Sequence, residues 1–250
     1  MNTLIVQTKT DLNRSLFRSK PFIFFSLGMP VGFYLLFTKV FNMGVPEEYM
    51  SVFYKDSMIQ MATYSVMISS LFSFSMTLIE DRKQGVKQFL RLSPMPESIY
   101  YGSKILTQFL INSLLLIVIF LVGHFVNGVQ MDSMTWLTSG LWILYGCLPI
   151  VALATIVSLV KDPNTASVLN NMILMPLAIV SGLWWPIDMF PEVVQKIATG
   201  LPTYYAAQGA KQLAAGQLPD GKGILIIFIY FVGIMVLSIY LNGRKEEIKR

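Results

Sequence analysis

Residues 105–131 read Ile-Leu-Thr-Gln-Phe-Leu-Ile-Asn-Ser-Leu-Leu-Leu-Ile-Val-Ile-Phe-Leu-Val-Gly-His-Phe-Val-Asn-Gly-Val-Gln-Met, without an Asp, Glu, Lys or Arg. A helix rises about 1.5 Å per residue, so roughly 20 apolar residues cross a hydrocarbon layer of about 30 Å. Further uncharged windows lie at 21–38, 57–79, 133–160, 163–187 and 223–243. Of the 250 residues, 54% are hydrophobic and 13% charged, about half the usual charged share of a soluble domain. The pattern predicts an all-α integral membrane protein, one domain over 1–250, with six transmembrane helices near 21–41, 57–79, 105–128, 136–160, 166–186 and 223–242.

Lys and Arg divide unevenly between the connecting segments. Residues 1–20, residues 80–104, Lys161 and the tail after 243 hold fourteen of the nineteen. The other side receives Lys39, Lys55, Lys196, Lys211 and Lys222. Basic flanks resist translocation, so both termini are expected on the cytoplasmic side. The N-terminal stretch lacks a cleavable leader pattern. Ile5, Leu12 and Leu16 share one helical face beside Lys9, Arg14 and Arg18, as in a helix lying at the membrane surface; the alternative is a disordered basic tail. Residues 186–222 are half apolar and punctuated by Pro186, Pro191, Pro202 and Pro219, which suits short outer re-entrant helices between spans five and six.

Composition excludes several chemistries. Cys147 and His124 are the sole residues of their kinds and cannot make a zinc site or an intrachain disulfide. No metal or cofactor site is expected in this chain, nor a nucleic-acid interface. No window holds an acidic residue, so an ion-gradient carrier lacks a carrier group, and no intramembrane catalytic motif is present. His124 is expected to bond a neighbouring helix. Gly216, Gly221, Lys222 and Gly223 imitate a phosphate-binding loop, but no Ser or Thr follows the Lys and a span begins there.

Polar residues inside the windows include Asn112 and Ser113, Asn170 and Asn171, and a run in span two that contains Ser65, Ser69, Ser70, Ser73 and Ser75. They either bond helices together or line a path. Asn112, Asn170, Asn171 and Ser181 are the candidate translocation path. Gly28-x-x-x-Gly32 permits close helix approach and is the candidate dimer contact, with Pro30 inside it as a kink. The basic loop Glu80-Asp81-Arg82-Lys83-Gln84-Gly85-Val86-Lys87-Gln88-Phe89-Leu90-Arg91-Leu92-Ser93-Pro94 places Val86, Phe89 and Leu90 at helical spacing, a short helix able to offer one apolar face to a partner.

This order of features resembles the membrane subunit of ABC-2 type exporters over essentially the whole chain. Glu80, Arg82, Gly85, Leu90, Pro94 and Lys104 are similar to that family's loop before span three. Ser181, Gly182, Pro186, Pro191, Leu201, Pro202 and Tyr205 resemble its stretch after span five; Trp184 and Trp185 depart from the smaller residues usual there. The resemblance implies a cytoplasmic coupling helix with Glu80, Arg82, Gly85, Phe89, Leu90, Arg91, Pro94 and Lys104 coupling to ATPase, and an outer gate of Trp184, Trp185, Pro186, Pro202 and Tyr205. It also implies two ABC ATPase subunits that bind ATP and Mg, and a second membrane subunit, identical or paralogous. The expectation is a multi-pass permease of a bacterial plasma membrane exporting an amphiphilic or hydrophobic compound: a drug, antibiotic, peptide or lipid-like molecule. The alternative is a membrane sensor or immunity component that binds an antimicrobial compound without moving it.

Overall fold

A computed structural model describes residues 3–17, 24–41, 45–92 and 96–247. Every regular element among them is helical. Helix α1 (Thr3–Phe17) precedes a π-helical turn, Phe24–Gly28, that runs into α2 (Met29–Lys39). A turn at Glu47–Tyr49 opens α3 (Met50–Ile68), which passes through a π-helical turn at Ser69–Ser73 into α4 (Phe74–Lys83). Then follow α5 (Val86–Leu92), α6 (Glu97–Asn127), α7 (Ser133–Gly146), α8 (Leu148–Val157) and α9 (Pro163–Val180). After a turn at Ile187–Met189 come α10 (Glu192–Ala198), α11 (Pro202–Ala214) and α12 (Gly221–Glu247).

Among the described residues, four stretches are long and apolar enough to cross a membrane: Glu47–Lys83, Ile99–Asn127, Ser133–Val157 and Gly221–Arg244. The remaining two windows also fold as helices. Phe24–Lys39 is apolar but shorter than 18 residues, and α9 has 18. Residues 18–23 lie outside the described set.

The centre of the bundle is the α3–α4 rod. Met58, Ile59, Ala62, Val66, Met67 and Leu71 are fully buried in it, with α2, α6, α8 and α11 packed around. By contrast α12 buries little of itself. Leu225, Phe228, Ile229, Val236, Ile239 and Tyr240 point outward, as suits a helix whose other face meets lipid tails rather than water. The starts of α7 and α9 are capped by Asp132 and Asp162. Asp162 Oδ2 accepts from Thr165 N at 2.8 Å and from the Thr165 hydroxyl at 2.9 Å. Those bonds to the charged form hold its carboxyl below the usual range.

Helix α11 is laid antiparallel along α7. Ala206 meets Gly146, Gly209 meets the Trp142 indole, and the Ser139 hydroxyl donates to Ala210 O at 3.4 Å. The first turn of α11 therefore sits halfway along the Ser133–Val157 rod. Glycine is what allows this approach: a Cβ on Gly146 would stand 2.4 Å from Ala206 Cβ and 2.7 Å from its Cα, and one on Gly209 2.2 Å from Trp142 Nε1.

Gly123 is also tight, with a Cβ 2.2 Å from Met58 Sδ, but a thioether can move and backbone cannot. Gly146→Ala is therefore expected to destabilise by about 1–3 kcal/mol and Gly123→Ala by less, read as melting temperatures of the detergent-solubilised chain.

Candidate functional site

The sequence-predicted coupling residues gather at the end of the bundle where α4 and α8 finish and α6 begins. Its centre is Lys104. The ammonium lies 2.7 Å from Asp11 Oδ1 on α1 and 2.8 Å from Asp81 Oδ2 on α4. All three side chains are at least 93% buried. Tyr100 OH donates to Asp81 Oδ2 at 2.6 Å, and the ammonium stands 5.2 Å from the centre of its ring. Arg14 reaches Asp81 Oδ1 at 3.1 Å and Glu80 Oε1 at 3.0 Å. Burial alone would lower the Arg14 guanidinium, but Glu80 and Asp81 together outweigh it and hold it above its ordinary value.

The network decides which face α1 buries. Thr8 and Asp11 point inward and Leu4 packs on Gly102, whereas Ile5 is exposed. The disordered-tail alternative is not what forms; the basic stretch is a helix docked on α6 through its polar side, with Ile5 turned away from the protein.

Arg82 donates to Ser158 O at 2.6 Å, placing a cation on the C-terminal carbonyls of α8. Gly85 closes the α4–α5 turn at φ +68°, a conformation that a side chain would strain. On α5, Leu90 is buried while Phe89 and Leu92 are 71% and 87% exposed. Arg91 belongs to α5, with its side chain outside the description, and Pro94 lies outside the described residues. Sequence reasoning thus brought Glu80, Arg82, Gly85, Phe89, Leu90 and Lys104 to one end. It missed Asp11, Asp81 and Tyr100. The readable signal was Asp11, the sole acid before Glu47 in a basic N-terminal segment.

Of the candidate path residues, three are engaged inside the chain. Gln108 Nε2 donates to Ser69 Oγ at 2.9 Å and to Asn112 Oδ1 at 2.8 Å, and Asn112 Nδ2 donates to Ser70 Oγ at 2.9 Å. Asn170 Nδ2 donates to Ser75 Oγ at 3.0 Å, while its Oδ1 is buried without a hydrogen bond. Ser181 shares a hydrogen bond with Thr203. Asn171, one position on and about 100° round the helix, is exposed and bonds back to Ser167 O at 3.1 Å. The π-helical turn at Ser69–Ser73 inserts an extra residue in this seam, with Ser69 and Ser70 at its start bonded to α6 and Ser75, after it, to α9.

The gate residues split. Trp184 packs 5.4 Å from Phe33 and 5.5 Å from Tyr64 between ring centres; Trp185 and Pro186 are exposed. Pro202 and Tyr205 belong to α11, tied to the Trp184 segment through Thr203 and Ser181. Tyr205 OH donates to Thr199 O at 3.0 Å. Gly28 and Gly32 face outward, and a Cβ on Gly32 would meet nothing within 4 Å. His124 Nδ1 is 2.9 Å from Val129 O, a partner in the turn following its own helix and not the neighbouring helix expected.

With this arrangement in place, comparison with known proteins is decisive. A family model described as "ABC-2 family transporter protein" matches residues 46–241. The chain belongs to the ABC-2 transporter family. It is 36% identical over 248 residues to a Bacillus subtilis (strain 168) protein with the provisional name transport permease YvfS, covering 99% of this chain and 100% of that one. It is also 25% identical over 163 residues to the linearmycin resistance permease protein LnrN of the same organism, spanning 63% of this chain and 41% of LnrN. As an ABC-2 permease with several apolar helices the chain is a multi-pass plasma membrane protein, the membrane subunit of a transporter.

Lys104→Met strips the counter-charge from two buried carboxylates and is expected to cost about 3–5 kcal/mol, whereas Lys104→Met with Asp81→Asn recovers part of it. Arg14→Ala, a quarter exposed, is expected to cost less. Thermal melts of the four proteins check the ordering.

Proposed function

We propose that this ABC-2 permease exports an amphiphilic or hydrophobic compound with energy from ATP hydrolysed on separate subunits. The observation that carries the reading is the α4–α5 turn. It offers Phe89 and Leu92 to solvent beside Gly85, and the Arg14, Asp81 and Lys104 network anchors it rigidly to α1 and α6. An exposed apolar helix on a charged, stiff base is suited to receive a partner and transmit its movement.

In this reading residues 1–250 form one transmembrane domain with six spans, both ends cytoplasmic, and Phe24–Lys39 and α9 supply the first and fifth. Four long apolar helices among the described residues, and two shorter helices within the remaining uncharged windows, support it. Helix α11, descending to mid-depth along α7, acts as a re-entrant element, with Trp184, Trp185, Pro186, Pro202 and Tyr205 as the external gate. Two ATPase subunits holding ATP and Mg dock at Glu80, Arg82, Gly85, Phe89, Leu90, Arg91, Pro94 and Lys104; among these, Phe89 makes direct contact and Lys104 acts from beneath. The open strip at Gly28 and Gly32 receives a second membrane subunit. The six uncharged windows hold no acid for ion coupling, which favours ATP as the energy source. The relative named for linearmycin resistance favours a toxic compound as cargo. Of the candidate path residues, exposed Asn171 is best placed to meet cargo.

Phe89→Asp tests the reading at an exposed position that leaves the fold alone. Expected are normal membrane insertion, loss of a co-purifying soluble ATPase, and at least a tenfold fall in ATP-dependent export from inverted vesicles. Unchanged co-purification and export would remove the α5 docking role.

A further inference from the structure

At the end of the bundle opposite Lys104, a cavity of about 80 Å³ opens between α7, α11 and the start of α12. Trp142, Tyr204, Tyr205, Gln208, Gly209, Gln212 and Asp220 line it. Three aromatic rings and two amides surround it, and the one charge on its wall is a carboxylate. The walls are held in place by contacts already described and by four more. Trp142 Nε1 donates to Tyr205 O at 3.0 Å, so the indole's polar atom is used and its ring rests against Gly209. Gln212 Oε1 accepts from Asp220 N at 3.2 Å, and Asp220 Oδ1 from Lys222 N at 3.0 Å, which fixes the carboxylate at the rim. Tyr205 stands against Gly223, where a Cβ would lie 2.9 Å from its ring.

The neighbouring cation on α11 does not neutralise this wall. Lys211 is turned to Asp56, 3.5 Å away, and Lys222 contributes its backbone amide.

We propose that this cavity binds the ammonium group of an organic cation. Aromatic faces and a carboxylate both attract a cation. An anion would meet Asp220 and no counter-charge. An uncharged apolar group would leave the carboxylate and amides facing it unpaired. The volume is well below the roughly 300–1,000 Å³ of a site that encloses a drug-sized molecule. The cavity therefore takes the ammonium tip of a larger or membrane-anchored molecule: the headgroup of a choline lipid, or the amine of a soluble cation. The site stands independently of whether export is ATP-driven.

The test is calorimetric titration of the full-length chain in phosphatidylglycerol nanodiscs, which present no ammonium headgroup. The probes are choline and its uncharged isostere, 3,3-dimethyl-1-butanol. Saturable choline binding is expected, with none for the isostere. Asp220→Asn, at an exposed position, and Tyr204→Leu are each expected to weaken it at least tenfold, while Tyr204→Phe retains it. Repeating the titration in phosphatidylcholine nanodiscs separates the sources. A weaker apparent affinity identifies a lipid headgroup as occupant, and an unchanged one a soluble cation. Equal binding of the isostere, absence of saturable choline binding, or choline binding unaltered by Asp220→Asn would overturn the proposal.

Discussion

The Lys104 ammonium between Asp11 and Asp81 is the interaction around which one end of this permease is arranged. A buried charge is tolerable only when opposite charge and hydrogen bonds replace its water. Here the replacements come from two other helices, so satisfying Lys104 brings α1, α4 and α6 to one point. Arg14 and Tyr100 complete the coordination of Asp81, and Arg82, next along α4, reaches across to the end of α8. The helical turn that exposes Phe89 thus rises from a base in which four helices are electrostatically tied.

Further into the bundle the cohesion changes in kind. Between helices in lipid, apolar burial gives little preference for one partner over another, so small residues and hydrogen bonds decide who packs with whom. Gln108 and Asn112 join α6 to the Ser69–Ser73 turn, Asn170 joins α9 to Ser75, and glycines at 146 and 209 let α11 lie against α7. The outer side of α12 presents chiefly large apolar side chains instead. The same rule explains why three of the four polar residues singled out for a path are occupied in holding helices together, with only Asn171 turned away.

The span pattern was largely legible because charge exclusion from hydrocarbon acts on each segment separately. The windows at 57–79, 105–131, 133–160 and 223–243 each became part of a long apolar helix without reference to any neighbour. The short α5 helix was legible for a similar local reason: Val86, Phe89 and Leu90 stand at helical spacing. What that spacing could not say was which apolar residue stays outside, and the answer is Phe89 rather than Leu90. Lys104 was legible only as a basic residue ahead of a span, because nothing local indicates that residues 11 and 81 close over it.

The sequence by itself therefore determined that this protein lives in a membrane and where its long apolar helices lie, since these follow from the transfer energies of individual segments. Only the tertiary structure decided that α1 buries its polar face, that the span asparagines bond to serines, that α11 descends along α7, and that Trp142, Tyr204, Tyr205 and Asp220 enclose a cavity. Each of those features depends on groups far apart in the chain meeting within about 3–6 Å, the range over which hydrogen bonds, ion pairs and cation–π contacts act.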